Sequence, residues 1–308
     1  MAKQLPSFQS FLKEEIDRVK GVYYPVRASF LKRLVTRHVS CRRLHPNPED
    51  EFCLPEIGPN YGIIARYEQD YKKDIQFKTE YQESGVLEPL IIQKAKPDGY
   101  LILNGHHRWA AAIRSGISRA EVRIVNLTQG SDVRKMLEQS RSDKRVALDL
   151  DEVVFCTDKD SFAEKPLPFP LNRFYRERVR KGIPALLHSF NERNYDIWVY
   201  TSKYCSVEYI RYYFKHWNVR LTGIVTGTAR KGDREATMQE LKSMMKTKYV
   251  STIYIDNNLL IRTFSDTGEC EEYPLSGSPD TWAREAMDAV RRMGTAARSR
   301  QTGKVMDG

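Results

Sequence analysis

The sequence predicts an α/β protein of two domains, an α+β domain followed by a mostly parallel sheet with helices on both faces. Three observations carry that reading. The chain has 308 residues, more than one ordinary domain uses. From Cys41 to about Leu127 short strands and turns prevail, whereas from Arg145 onward apolar runs alternate with helix-length segments, the pattern of βαβ units. Several of those later runs end in Asp, Asn or Thr, and open α/β sheets bind ligands at the carboxyl ends of their strands.

Composition narrows the class. An apolar content of 41% supplies ordinary cores. No run approaches the ~20 apolar residues of a membrane span, and the opening MAKQLPSFQSF lacks a signal-peptide core, so a cytoplasmic protein with no membrane partner is expected. The five cysteines are scattered with no Cys-x-x-Cys spacing, which argues against both a disulfide framework and a zinc site. Net charge is +10, and residues 1–45 hold ten Lys or Arg against three acids. Such a basic segment fits a nucleic-acid partner, and it equally fits a solvated helical face.

Residues 1–40 read as a basic helical segment. Phe8, Phe11, Leu12, Ile16 and Val19 form one stripe, and Phe30, Leu31, Leu34 and Val35 form a second over Ala28 to Val39. The first domain then spans 41–128. Arg42 to His45 is a strand, Pro46 to Glu51 breaks it, Ile64 to Gly85 is helical, and strands follow at Val86 to Ile92 and Tyr100 to Leu103. Asn104-Gly105-His106-His107-Arg108 joins that last strand to an Ala-rich helix, Trp109 to Arg114. A strand, a glycine and a helix N-terminus gather free N–H groups and a partial positive charge at one point, where Arg108 adds a forked donor. This is a phosphate-binding arrangement.

The order of strand, Pro-Asn-Pro, helix, Gly-Val-Leu-Glu-Pro-Leu, then Leu-Asn-Gly-His-His-Arg-Trp-Ala-Ala-Ala resembles the ParB/sulfiredoxin superfamily over residues 41–127. The Gly-His-His-Arg wording is most similar to the free serine kinases of that fold. The resemblance implies an α+β ParB/sulfiredoxin-like domain in which Gly105, His106, His107 and Arg108 hold the phosphates of ATP or another nucleoside di- or triphosphate. It also implies an acidic base after the first strand, at Glu49 or Glu51, although those acids also fit a solvated turn. His106 stands where sulfiredoxins carry their reactive cysteine, so that redox chemistry is not expected.

Residues 129–144 read as a linker helix with Val133, Met136 and Leu137 on one side, and the second domain spans 145–293. In RVALDLDEVVFC, a buried strand over Val146 to Leu148 delivers Asp149 and Asp151 on one side. Carboxylates this close repel unless a cation lies between them or one holds a proton, which points to a Mg²⁺ site or an acid/base couple. A strand followed by an Asx turn is the plainer alternative. Ile197 to Tyr200 then ends in Thr201-Ser202, Lys231 precedes a helical segment, and Ser251 to Ile255 ends in Asp256-Asn257-Asn258.

This ordered set resembles the haloacid dehalogenase-like phosphohydrolases over residues 145–275, with wording most like the branch that includes small protein phosphatases acting on polymerase tails. The resemblance implies a Rossmann-like sheet of the haloacid dehalogenase type. Asp149 would be the nucleophile, forming an aspartyl-phosphate, and Asp151 the acid and later the base. Thr201 and Lys231 would hold phosphoryl oxygens. Mg²⁺ would be held by Asp149, the Asp151 carbonyl, and Asp256 or Asn257. Val153 stands where many members carry Thr. Leu171 to Asn194 reads as a basic amphipathic helix, the aromatics of Val207 to Trp217 as core, and 294–308 as a disordered tail.

Together these features predict a bifunctional enzyme. Its first domain would be a nucleotide-dependent kinase, and its second a Mg²⁺-dependent phosphatase acting on a phosphorylated substrate, at nucleic-acid ends or on a nucleotide-related molecule. Two alternatives stand beside it: a phosphatase with a non-catalytic nucleotide- or DNA-binding sensor domain, and a partition-like DNA-binding module.

Overall fold

The computed structural model describes residues 7–81, 87–156, 162–228, 234–279 and 281–293. The chain divides into two units, the first built mainly from 1–127 and the second from 128 to the C-terminus.

In the first unit, α1 (Phe8–Val19) starts where the Ser7 hydroxyl accepts the Ser10 N–H, and it buries Leu12 and Val19. It is followed by β1 (Tyr24–Pro25), α2 (Phe30–Arg33), β2 (Arg37–Ser40), β3 (Leu44–His45), α3 (Tyr61–Tyr81), β4 (Leu90–Lys96), β5 (Tyr100–Asn104), α4 (His106–Arg114) and β6 (Arg119–Ile124). The sheet order is β2-β6-β4-β5-β3, with β1 also paired to β4. Ile92, Ile102, Val122 and Ile124 from the strands and Trp109 to Ala112 from α4 form the core.

The helix expected over 28–39 is not formed. Only the single turn α2 is helical, and Arg37 to Ser40 pairs antiparallel with β6, Val39 opposite Ala120. Phe30, Leu31, Leu34 and Val35 are all exposed, so their helical spacing has no surface to bury against. Pairing with β6 instead satisfies the backbone groups of 37–40. The first forty residues thereby give two strands to this sheet.

The second unit opens with α5 (Gly130–Gln139). The Thr128 hydroxyl before it donates to the Ile224 carbonyl at 2.9 Å, and its N–H donates to Thr226 Oγ1 at 3.0 Å. After it come β7 (Lys144–Asp149), a π turn (Leu150–Val154), β8 (Phe155–Cys156), α6 (Leu171–Phe174), β9 (Arg178–Val179), α7 (Ile183–Glu192), β10 (Asp196–Thr201), α8 (Val207–Lys215), β11 (Gly223–Thr226), α9 (Arg234–Lys248), β12 (Ser251–Ile255), β13 (Leu259–Phe264), β14 (Cys270–Pro274) and α10 (residues 282–293). The sheet order is β11-β10-β7-β12-β13-β14, with the first four strands parallel and the last two antiparallel.

Val146, Ala147 and Leu148 of β7 are all buried, which explains why an unbroken apolar run marks this strand. From β7 the chain winds outward through β10 to β11, then returns to place β12 on the other side of β7. A crevice forms at such a reversal, beyond the carboxyl ends of the strands.

The helix expected over 171–194 is instead α6, β9 and α7. Gly182, at φ +85°, turns the chain between β9 and α7, and Pro184 sits in the first turn of α7. The excursion before it closes on itself through pairing of β8 with β9, Phe155 opposite Val179. Among the described residues no helix is long and apolar enough to cross a membrane.

Candidate functional sites

In the first unit, Gly105 turns β5 directly into α4 with φ +100°. A Cβ there would lie 2.5 Å from Leu90 Cδ2, so the corner needs glycine for space as well as conformation. Gly105, the residue before α4, has no side chain to cap this nine-residue helix, so its first N–H groups take no acceptor from that position.

His106 is buried and stacked on Phe52, ring centroids 5.5 Å apart. Its Nε2 accepts the Asn47 N–H at 3.1 Å and its Nδ1 lies 3.4 Å from Asp50 Oδ1. Burial pushes its pKa down to about 4, with Asp50 pulling upward and His107 pushing further down. It is therefore neutral at pH 7. His107 Nε2 accepts the Asn60 N–H at 3.0 Å, and burial lowers its pKa as well.

Arg108 is 7% exposed and donates to the Glu88 carbonyl at 2.5 Å and to Asn104 Oδ1 at 3.0 Å. Its guanidinium braces the entry and exit of the β4–β5 hairpin. Glu49 is exposed, with its N–H donated to Asn47 Oδ1 at 3.3 Å in a local turn, and Glu51 opens the short helical turn that follows. The carboxylate that faces His106 is Asp50, which the sequence reading passed over between two glutamates.

In the second unit, Asp149 is the last residue of β7. Its Oδ1 accepts the N–H groups of Asp151 at 2.7 Å and Glu152 at 3.0 Å, which suspends the π turn from the strand end. Asp151 is held tightly: Thr201 Oγ1 is 2.9 Å from both carboxylate oxygens, while Ser202 N–H at 2.9 Å, Ser202 Oγ at 2.8 Å and Lys203 Nζ at 3.3 Å bind one or the other. Partial burial raises its pKa, but the Ser202 and Thr201 hydroxyls, the Ser202 N–H and Lys203 together outweigh that and leave it below the usual value.

Ile255 pairs with Leu148, so Asp256 follows β12 alongside Asp149. Its Oδ1 accepts the Asn257 N–H at 2.6 Å. Asn257 Oδ1 accepts from Arg180 at 2.7 Å and its Nδ2 reaches the Glu152 carbonyl at 3.4 Å, which ties the β12 end to the π turn. This edge thus gathers Asp149, Asp151, Thr201, Asp256 and Asn257. Lys231 lies outside the described residues. Ser202, Lys203 and Arg180 belong to the same network. Ser202 ends the apolar run together with Thr201, as read from the sequence, and Arg180 lies in the basic stretch read over 171–194; Lys203, the next residue along, was not singled out.

Among the described residues no group of three or more His, Cys, Asp or Glu is arranged to hold a metal. The Asp151 carboxylate is consumed by its donors, and Asn257 Oδ1 faces a guanidinium. The remaining oxygens are the Asp149 and Asp256 carboxylates and the Asp151 carbonyl. They are hard donors that fit Mg²⁺, which commonly takes one or two carboxylates and completes its shell with water.

Residues 70–140 match the model of the ParB N-terminal domain, from within α3 to just past the end of α5 and including the Gly105–Arg108 corner. The chain is also similar to the C-terminally truncated chromosome-partitioning protein ParB from Caulobacter crescentus, solved in complex with CTP-gamma-S. That similarity has 21% identity and a TM-score of 0.23, covering 35% of this chain and 54% of that one. The chain therefore spans about half the length of that structure. Comparison with curated proteins returns no match. Residues 70–140 are thus similar to a ParB N-terminal domain, and the family match stops short of the carboxylate edge.

Proposed function

We propose that this is a two-domain phosphate-handling enzyme, with a Mg²⁺-dependent phosphohydrolase of the haloacid dehalogenase type in the second unit and a nucleotide-binding ParB-type domain in the first. The observation that carries the hydrolase reading is the meeting of Asp149, Asp151, Thr201 and Asp256 at the carboxyl edge of one parallel sheet. Mg²⁺ held by Asp149, Asp256 and the Asp151 carbonyl would offset the negative charge of the phosphoryl group. The free oxygen of Asp149 attacks phosphorus in line, the P–O bond to the leaving group breaks, and the leaving oxygen takes the proton of Asp151. Water then attacks the phosphorus of the aspartyl-phosphate, Asp151 takes a proton from that water, and the bond from phosphorus to the Asp149 oxygen breaks, which releases phosphate and frees the carboxylate.

The lowered pKa of Asp151 keeps it ionised at rest, which is the form the second step needs. An arriving phosphate dianion repels that charge and favours the protonated form required by the first step. By the resemblance, Lys231 would pair with the phosphoryl oxygens.

For the first unit, the start of α4 supplies N–H donors and a positive dipole end for the phosphates of ATP, CTP or another nucleoside di- or triphosphate. Kinase activity with Glu49 as base would make the protein bifunctional. A second reading, a non-catalytic nucleotide or DNA sensor, is favoured by one observation: the corner acid is Asp50, already engaged with His106 and with the Phe52 N–H.

Hydrolysis of an aryl phosphate with and without Mg²⁺ tests the hydrolase. Incubation with labelled ATP or CTP separates the readings of the first unit. Transfer of label supports the kinase, saturable binding without turnover supports the sensor, and no binding removes the nucleotide from both.

A further inference from the structure

Between β8 and β9, the described residues present an exposed face beside a buried Leu167, outside the carboxylate network. Residues 165–181 contain six Lys or Arg and a single acid, Glu177. That acid is turned inward, where its carboxylate accepts the Tyr209 hydroxyl and its carbonyl accepts the Tyr213 hydroxyl at 3.0 Å. Among the described residues of 165–181 the outward charge is therefore basic, whereas Asp158, Asp160 and Glu164 precede this stretch in the same excursion. Arg173 and Arg176 are exposed on this segment, and Arg211 is exposed on the adjoining α8.

The same surface shows rings. Phe169 is 72% exposed, Phe174 57% and Tyr212 46%. Folding normally hides such groups. The aliphatic residues beside them are not shown in this way: Leu167 is buried and Leu171 half-buried. Arg173 lies over one face of Phe169, 5.5 Å from its centroid. Tyr175 packs on Tyr209 at 4.9 Å, and the Tyr209 hydroxyl also donates to the Phe174 carbonyl, so the segment is fixed to α8. Aromatic faces interleaved with arginines suit stacked bases and phosphodiesters.

We infer that this lip binds single-stranded nucleic acid, with bases stacking on Phe169, Phe174 and Tyr212 and the phosphate backbone meeting Arg173, Arg176 and Arg211. Charge complementarity commits the surface to a polyanion, and the exposed rings commit it to one with unpaired bases. Arg180 ends the lip by donating to Asn257, and its N–H donates to the Val154 carbonyl at 2.8 Å. Binding itself does not depend on the hydrolase reading.

The test is fluorescence anisotropy of the full chain with labelled oligo-dT and with a duplex of equal length, each at two salt concentrations. Tighter binding of oligo-dT is expected, with about tenfold weakening by Phe169→Ala or Phe174→Ala. Arg173→Gln with Arg176→Gln should lower the salt slope by about 0.7 per lost phosphate contact. All four side chains are exposed, so these variants keep the fold. The inference is overturned if lip variants bind as the unmodified protein does, if Lys13→Gln with Lys20→Gln in the basic N-terminal segment abolishes binding while lip variants retain it, or if only phosphatidylserine vesicles bind the lip.

Discussion

Asp149 and Asp256 stand side by side, each one residue beyond a paired position, Leu148 and Ile255, on neighbouring parallel strands. Strands in a sheet lie about 4.8 Å apart, so two carboxylates placed there repel one another unless a cation joins them. Asp149→Asn is expected to abolish aryl-phosphate hydrolysis. Asp256→Asn should weaken Mg²⁺ binding by at least about tenfold, read by calorimetry as well as by activity. Equal Mg²⁺ affinity in both variants would remove the metal from this edge.

Thr201 governs Asp151 through one hydroxyl placed 2.9 Å from both carboxylate oxygens. Thr201→Val removes a donor that stabilises the ionised form, so the pKa of Asp151 rises. The acidic limb of the pH–rate profile should move to higher pH. The same lowered pKa gives the stability effect a definite sign. The folded pKa is below the unfolded value of about 3.9, so Asp151 stabilises the fold above that pH and the stabilisation is lost as pH falls through the lower folded value. Melting curves of Asp151→Asn and the unmodified protein should therefore converge as pH is lowered through this range. A constant difference would show that the donors do not favour ionised Asp151.

Much of this edge was legible because a buried parallel strand writes itself as an unbroken apolar run: Val146 to Leu148, Ile197 to Val199 and Ser251 to Ile255 each lie in a strand, as their apolar character predicts. The residues just after such a run are placed at the sheet edge by geometry alone. Side-chain spacing failed where tertiary pairing decided. Leu34 and Val35 have helical spacing but lie just before a strand recruited by β6, and Leu171 and Leu187 belong to separate helices divided by β9. Asp50 was missed because its partner, His106, is 56 residues away in the chain.

His106 titrates in a window that ordinary histidines do not reach. Its folded pKa is about 4, against about 6.5 when unfolded, so between these values the unfolded chain binds the extra proton. Stability contributed by neutral His106 is complete above about pH 6.5 and is lost as pH falls toward 4. His106→Gln carries no titrating group, so its melting temperature should fall less steeply than that of the unmodified protein across this interval. An NMR titration showing His106 protonating near pH 6.5 would contradict the buried geometry.

Gly105→Ala separates the shape of the phosphate corner from its charge. The substitution places a Cβ 2.5 Å from Leu90 Cδ2 and forces a φ of +100°, so a loss of about 1–3 kcal/mol is expected, seen as a drop of several degrees in melting temperature. The shifted turn also re-aims the first N–H groups of α4, so nucleotide affinity should fall together with stability. Arg108→Lys makes the converse comparison: it keeps the positive charge but cannot reproduce the forked contacts to the Glu88 carbonyl and Asn104, so it should destabilise the β4–β5 hairpin. If Arg108→Lys lowers the melting temperature while nucleotide affinity in the folded protein is unchanged, the guanidinium is a brace and the backbone of α4 holds the phosphate. If affinity falls at unchanged stability, the guanidinium leaves its internal partners to bind the nucleotide directly.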